Sequence, residues 1–193
     1  LELSGYQNRI DDYIFLKPRA PVQSARGAYP AYEYAATDAR LRGIEASFQV
    51  DPISSLSLYA SGTTVRGTDP SLGTPLFDIP ADRLVTSARI YGPRGGAFVD
   101  PYLELGATLV RRQDYTPPNT VYNLPTGGYA LFNAEIGTRE VRIAGQSLEL
   151  SLAARNLFNT RYRDYLSRYR LYVDDQGRDL VLRLRTKFGR SNP

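Results

Sequence analysis

The chain of 193 residues contains no cysteine, histidine, methionine or tryptophan. Without cysteine there is no disulfide framework and no thiolate chemistry. Without histidine the commonest metal ligand and the usual general base are missing. Without methionine there is no initiator residue and no signal peptide. The chain begins in mid-pattern at Leu1-Glu2-Leu3-Ser4, and we read it as a fragment or a processed product. No apolar run approaches the roughly 18 residues of a membrane helix. That excludes helical spans only, because a membrane barrel hides its apolar residues by alternation.

Lysine is almost absent too, at Lys17 and Lys187, so the net charge of +4 is carried by arginine. The sequence pI is near 9.3. A basic chain raises the possibility of nucleic acid. The arginines are nevertheless scattered and alternate with leucine, and no basic run or reader motif stands out, so nucleic acid is not an expected partner. Fifteen tyrosines suit boundaries that are wet on one side and apolar on the other.

The dominant pattern has a period of two. Leu180, Leu182, Leu184, Thr186 and Phe188 fall on one side of a strand, with Val181, Arg183, Arg185 and Lys187 on the other. Such a strand separates water from something apolar, either a protein core or lipid. Similar segments are predicted over 1–15, 32–50, 54–66, 83–91, 98–115, 128–142, 146–162 and 177–188, and no helical periodicity competes. Connections alternate in length. Short ones fall at Asp51-Pro52, 92–97 and 143–145; long ones fall at 17–31, 67–82, 116–127 and 163–176. This rhythm predicts an all-β, antiparallel up-and-down meander of about eight strands, with one trimmed and one elaborated end, as in outer-membrane barrels. Several segments exceed the usual 5–6 residues of a soluble strand and approach the roughly 9–11 of a membrane-spanning one. A small complete eight-stranded outer-membrane barrel with a structural or adhesive role fits the same pattern, as does a soluble ligand-binding barrel with its leucines turned inward.

The segment Asn156-Leu157-Phe158-Asn159 with Tyr162 resembles a signature of TonB-dependent outer-membrane receptors, where it lies on the penultimate strand. Leu166-Ser167-Arg168-Tyr169-Arg170, Gly177-Arg178, a last strand ending in the aromatic Phe188, and Arg42-Gly43-Ile44-Glu45 before an Asp-Pro turn also resemble that family. The resemblance implies that residues 1–188 are the C-terminal portion of a 22-stranded barrel plugged by an upstream domain, with 189–193 a short tail beyond the usual terminal aromatic. It implies a receptor of the bacterial outer membrane, in a Gram-negative bacterium. Such a receptor imports a scarce ligand such as a ferric siderophore, haem, cobalamin or other metal chelate, energised by TonB through the plug. Expected partners are membrane lipid, the upstream strands, the plug and the small-molecule ligand.

Three groups of residues are singled out. The motif Asn156, Leu157, Phe158, Asn159, Tyr162 and Phe188 is read chiefly as structural, with Phe158 and Tyr162 near the outer interface where aromatics anchor. The inward arginines Arg155, Arg183 and Arg185 are read as partners of Glu45, Glu104, Glu135 and Glu149 rather than as ligand guides. Arg163, Tyr165, Arg168, Tyr169 and Arg170, with Tyr29 and Tyr32, are the candidate ligand contacts, because arginine and tyrosine suit anionic, aromatic ligands. No catalytic set is visible: Asp11-Asp12 and Asp174-Asp175 are adjacent pairs that point apart on a strand. No enzyme activity, resident metal or cofactor is expected.

Overall fold

In a computed structural model, residues 1–93, 98–118, 123–143 and 146–186 are described. They form nine strands: β1 Glu2–Ser24, β2 Gly27–Ile53, β3 Leu56–Asp69, β4 Thr74–Pro75, β5 Arg83–Tyr91, β6 Phe98–Val110, β7 Tyr129–Ile143, β8 Gln146–Arg155 and β9 Asp179–Thr186. The order in the sheet is β1-β2-β3-β5-β6-β7-β8-β9, with the two-residue β4 on β3, and every pairing is antiparallel. Each main strand therefore pairs with its sequence neighbours, as short turns between alternating segments require. Among the described residues β1 and β9 do not pair, so the sheet is an open wall with two edges.

The alternation resolves in one sense. Leu180, Leu182 and Leu184 are 67, 69 and 66 % exposed, and Leu103, Leu105 and Leu109 on β6 are also exposed. On the opposite face Glu104 pairs with Arg89 (Nε–Oε2 2.6 Å), Arg185 with Glu149 (3.2 Å) and Arg183 with Glu135 (3.8 Å). A lipocalin-like barrel would bury the leucines and expose the charges. Here the paired charges share a face with a concavity of about 330 Å³ bordered by Tyr59, Ser87, Glu104, Gly106, Asn133 and Glu135. We call this the inner face. Arg155 pairs with Asp179 (4.0 Å) rather than with a glutamate. Glu45 forms no ion pair among the described residues.

The strand limits depart from the sequence reading in ways that have physical causes. Residues 17–31 are not a loop: β1 and β2 continue as a ribbon to a tight turn at Ala25-Arg26, closed by Gly27 at φ 118°. Pro18, Pro21 and Pro30 suggest a break, but among the described residues β1 has no neighbour other than β2, so a missing donor on its free side leaves no bond unmade. Pro21 lies in the register shift between Arg19 and Val22. The pairing of β2 with β3 begins only at Arg40, so β2 is also an edge at Pro30. Asp51-Pro52 lies in a second register shift, and the turn comes later, at Ser54-Ser55. The strand expected to reach Tyr115 stops at Val110, and the one expected to reach Tyr162 stops at Arg155. The 143–145 turn lies partly, and Phe188 and the 189–193 tail wholly, outside the described residues.

All the elaborated connections lie at one end of the wall. There 70–82 folds over β1–β3, and Leu76 and Ile79 join Ala39 in a small apolar cluster with Ile10, Tyr13, Leu41 and Val65 against it. This packing demands Gly67, since a Cβ at that position would collide with the Ile79 side chain.

Candidate functional site: the loop cluster at the elaborated end

The last strand-to-strand connection, 156–178, begins with a turn built on asparagine. Asn156 and Asn159 adopt φ 47° and 54°, a left-handed conformation that asparagine tolerates better than other residues with a Cβ. Asn156 is 4 % exposed. Its Oδ1 accepts from Thr160 N (2.8 Å) and its Nδ2 donates to Thr160 O (2.9 Å), while its own N–H donates to Asn133 Oδ1 (3.0 Å). Leu157 N donates to Phe132 O (2.7 Å) and Arg178 N to Asn159 Oδ1 (2.9 Å), tying the turn to β7 and to the approach to β9. The motif thus follows the penultimate strand instead of lying on it. Its aromatics divide. Phe158 is exposed and meets Phe132, an outward residue, edge-on at 5.4 Å. Tyr162 lies on Tyr129 at 4.5 Å, beside Asp164, and so turns toward the inner side instead of serving as an outer anchor.

Asp164 holds the connection over the inner rim. It accepts from Tyr129 OH (2.6 Å), Arg83 Nη2 (3.0 Å) and Leu166 N (2.9 Å), and its N–H donates to Asp175 Oδ2 (2.7 Å). Beyond it, Tyr165 and Arg170 are 2 and 8 % exposed. Both donate to Asn123 Oδ1, at 2.6 and 2.8 Å, and the guanidinium of Arg170 stacks on the Tyr165 ring at 4.6 Å. Burial pushes the Tyr165 phenol up to about 12, so it remains a donor at neutral pH. Arg163 donates to Asp174 (2.8 Å) and to the Arg170 carbonyl (3.0 Å). Arg168 reaches Asp78 (3.7 Å) and lies 6.0 Å from the Tyr32 ring, linking this connection to 70–82 and to the β1–β2 ribbon.

The structure therefore brings Arg163, Tyr165, Arg168, Arg170 and Tyr32 into one assembly. Tyr169 is 70 % exposed and joins through its backbone, while Tyr29 lies apart near the ribbon tip. Three nodes escaped the sequence reading: Gln113, Asn123 and Asp164. Gln113 is buried, donates to Ile79 O (2.7 Å) and accepts from Tyr115 N (3.1 Å). Single polar residues in irregular segments follow no period, so nothing in their spacing marks them.

At the rim, Asp82 accepts two bonds from Arg66 (2.6 and 2.8 Å) and one from Thr64 (2.7 Å). The Arg66 bonds hold its carboxyl down at about 2. A carboxyl lowered on folding contributes stability above its unfolded pKa of about 3.9, and that contribution is lost as pH falls through the folded value. Pepsin cleavage within 70–82 should therefore accelerate between about pH 4 and pH 2, and Asp82→Asn should show the faster cleavage already at pH 4. Identical profiles for the two proteins would show that this pair does not hold the loop.

Comparison with known proteins agrees with this architecture. The copper transporter OprC matches with a TM-score of 0.72 at 19 % sequence identity, over 91 % of this chain and 27 % of that one. At such identity the likeness is one of fold, and the chain spans about a quarter of that protein's length. No curated protein matches. The family model "TonB dependent receptor-like, beta-barrel" matches residues 1–157, ending inside the Asn156–Asn159 turn. With an antiparallel meander, outward leucines, paired inner charges and loops gathered at one end, the chain belongs to the TonB-dependent receptor β-barrel family.

Proposed function

We propose that this chain is the C-terminal part of the wall of an outer-membrane transporter that takes up a scarce ligand with energy supplied through TonB. The family match over 1–157 carries this reading. Lipid covers the leucine face, upstream strands of the same protein continue the sheet at β1, and a plug that contacts TonB occupies the inner side. The ligand is a metal chelate such as a ferric siderophore, haem or cobalamin. The similar solved structure is a copper transporter, so copper belongs in the same screen. No enzymatic step is required.

The accessible residues are the ligand contacts: Tyr32, Arg168 and Tyr169 in the loop cluster, and Tyr29 near the ribbon tip. Tyr165, Arg170 and Arg163 hold the loop that presents them, while Asn156, Leu157, Phe158, Asn159 and Tyr162 seat it on the wall. Phe188 is proposed as the terminal aromatic read during insertion.

The test is uptake of radiolabelled ferric siderophore, haemin, cobalamin and copper by cells expressing the whole receptor, with and without TonB. Uptake of one ligand that vanishes without TonB is expected. Equal uptake in both strains would overturn the proposal. Arg168→Ala with Tyr169→Ala should weaken binding of that ligand by roughly tenfold or more, as for arginine and tyrosine side chains that a bound partner desolvates, with unchanged heat-modifiable mobility. Unchanged affinity would remove these residues from the site.

A further inference from the structure

The outward face of β1–β3 changes character abruptly. Its successive rows, read from the cross-strand registers, begin apolar: Leu3 opposite Ala46, then Gly5, Ile44 and Thr64. The next row is Gln7, Arg42 and Arg66, and the one after it is Arg9, Arg40 and Thr68. Arg42 lies directly opposite Arg66, and Arg9 directly opposite Arg40. Like charges placed directly opposite on one face destabilise an antiparallel pair, so these rows need an anion.

Arg66 has one in Asp82 and also packs on the Tyr115 ring at 5.6 Å. Arg111 lies 3.7 Å from the same Asp82. Among the described residues no acid lies within ion-pair distance of Arg9, Arg40 or Arg42. The nearest acids along the chain, Asp11, Asp12 and Asp38, belong to the register shift beyond Ile10, where Asp12 N donates to Asp38 Oδ1 (3.4 Å). The Nε of Arg40 is buried and has no hydrogen-bond partner among the described residues. Below the arginines is an open depression of about 540 Å³ bordered by Gly5, Gln7, Arg42, Ile44, Thr64 and Arg66. Gly5 leaves its floor clear, with nothing within 4 Å of where a Cβ would stand.

We propose that this corner of the outer face binds the phosphate of an outer-leaflet lipid headgroup, with Arg40 and Arg42 as its ligands, Arg9 and Arg66 flanking, and an acyl chain lying in the Gly5–Ile44 depression. Two features select that occupant. The arginines lie on the leucine side of the wall, which a ligand crossing the barrel interior never meets. They also lie at the boundary where the apolar rows end toward the elaborated, externally facing end, at headgroup height. Guanidinium groups match phosphate oxygens with paired, charge-assisted hydrogen bonds. The site rests on the reading that this wall spans the outer membrane.

The test is native mass spectrometry of the whole receptor in detergent, with bis-phosphorylated lipid A, the same lipid dephosphorylated, and inorganic phosphate as probes. The bis-phosphorylated lipid should stay bound and the dephosphorylated one should bind more weakly. Arg40→Gln with Arg42→Gln should lower affinity by about fivefold for each arginine removed, and Arg40→Lys with Arg42→Lys should retain most of it. Equal retention of the two lipids, or full affinity in the double glutamine variant, would overturn the proposal and point to an acid on the upstream strand as the partner. Displacement by millimolar inorganic phosphate would reduce the site to a free-phosphate site. Heat-modifiable mobility reports folding separately. If the glutamine variant does not fold, the comparison of the two lipids on the unaltered protein decides. A receptor that is monodisperse without detergent would instead overturn the membrane reading itself.

Discussion

Replacing Asn156 with valine is expected to cost about 3–8 kcal/mol, because two separate requirements meet at this position. The backbone is left-handed there, at φ 47°, which penalises a residue with a Cβ by roughly 1–2 kcal/mol, and a β-branched one most. The buried side-chain amide satisfies both the N–H and the C=O of Thr160. Orphaning such groups costs about 1–3 kcal/mol each. Asn156→Gly separates the two terms: it accepts the backbone but loses the amide, so it should fall between the native protein and the valine variant. The readout is the midpoint of heat-modifiable mobility on gels, together with trypsin cleavage at Arg161, Arg163 and Arg168. Equal midpoints for the glycine and valine variants would show that the left-handed backbone contributes nothing. Because Asn156 also seats the loop that carries Arg168 and Tyr169, ligand binding should be lost with the fold of the loop even where the wall survives.

The second large effect is expected at Gly137, in the middle of β7. Its register partners are Tyr102 on β6 and Ser151 on β8. A Cβ at Gly137 would stand 2.7 Å from Tyr102 Oη and 2.8 Å from Ser151 Cβ. Tyr102 lies across the glycine, donates to Glu135 (2.6 Å) and receives the Arg89 guanidinium 4.7 Å from its ring. Tyrosine can swing away, but Ser151 Cβ moves only with the β8 backbone. Gly137→Ala therefore costs about 1–3 kcal/mol by overpacking. Gly137→Val adds the loss of the hydrogen bond to Glu135, worth about 1.5–3 kcal/mol for a charged acceptor. The cycle with Tyr102→Ala is informative: removing the ring should relieve part of the alanine penalty, so the double variant should be more stable than the sum of the singles. Strict additivity would mean that the clash is with Ser151 alone. Tyr6 covers Gly43 in the same way, with its ring 2.5 Å from where a Cβ would stand. Tyr6 is on the edge strand, so Gly43→Ala should be milder.

Period-two alternation with spaced turns was sufficient for an all-β antiparallel meander, because each strand pairs with its chain neighbour and needs no distant information. Eight main strands, their order and the gathering of long connections at one end were all legible. So was the pairing of Arg183 with Glu135 and of Arg185 with Glu149, whereas Arg155 pairs with Asp179, Glu104 with Arg89, and Glu45 forms no ion pair among the described residues. Three things were decided only by the tertiary structure. Alternation specifies two faces without saying which is concave; that needed the cross-strand pairing of Arg183 and Arg185 with Glu135 and Glu149 on the side of the concavity, with Leu180, Leu182 and Leu184 on the other. Proline reads locally as a breaker, but whether its missing donor matters depends on whether the strand has a neighbour, so the β1–β2 ribbon was invisible until its edges were known. Loop composition shows arginine and tyrosine without showing which are spent on one another. Tyr165 and Arg170 are buried on Asn123, some forty residues earlier in the chain, whereas Tyr169 is exposed. Such long-range hydrogen bonds leave no trace in local spacing, which is why the strands could be read residue by residue and the loop cluster could not.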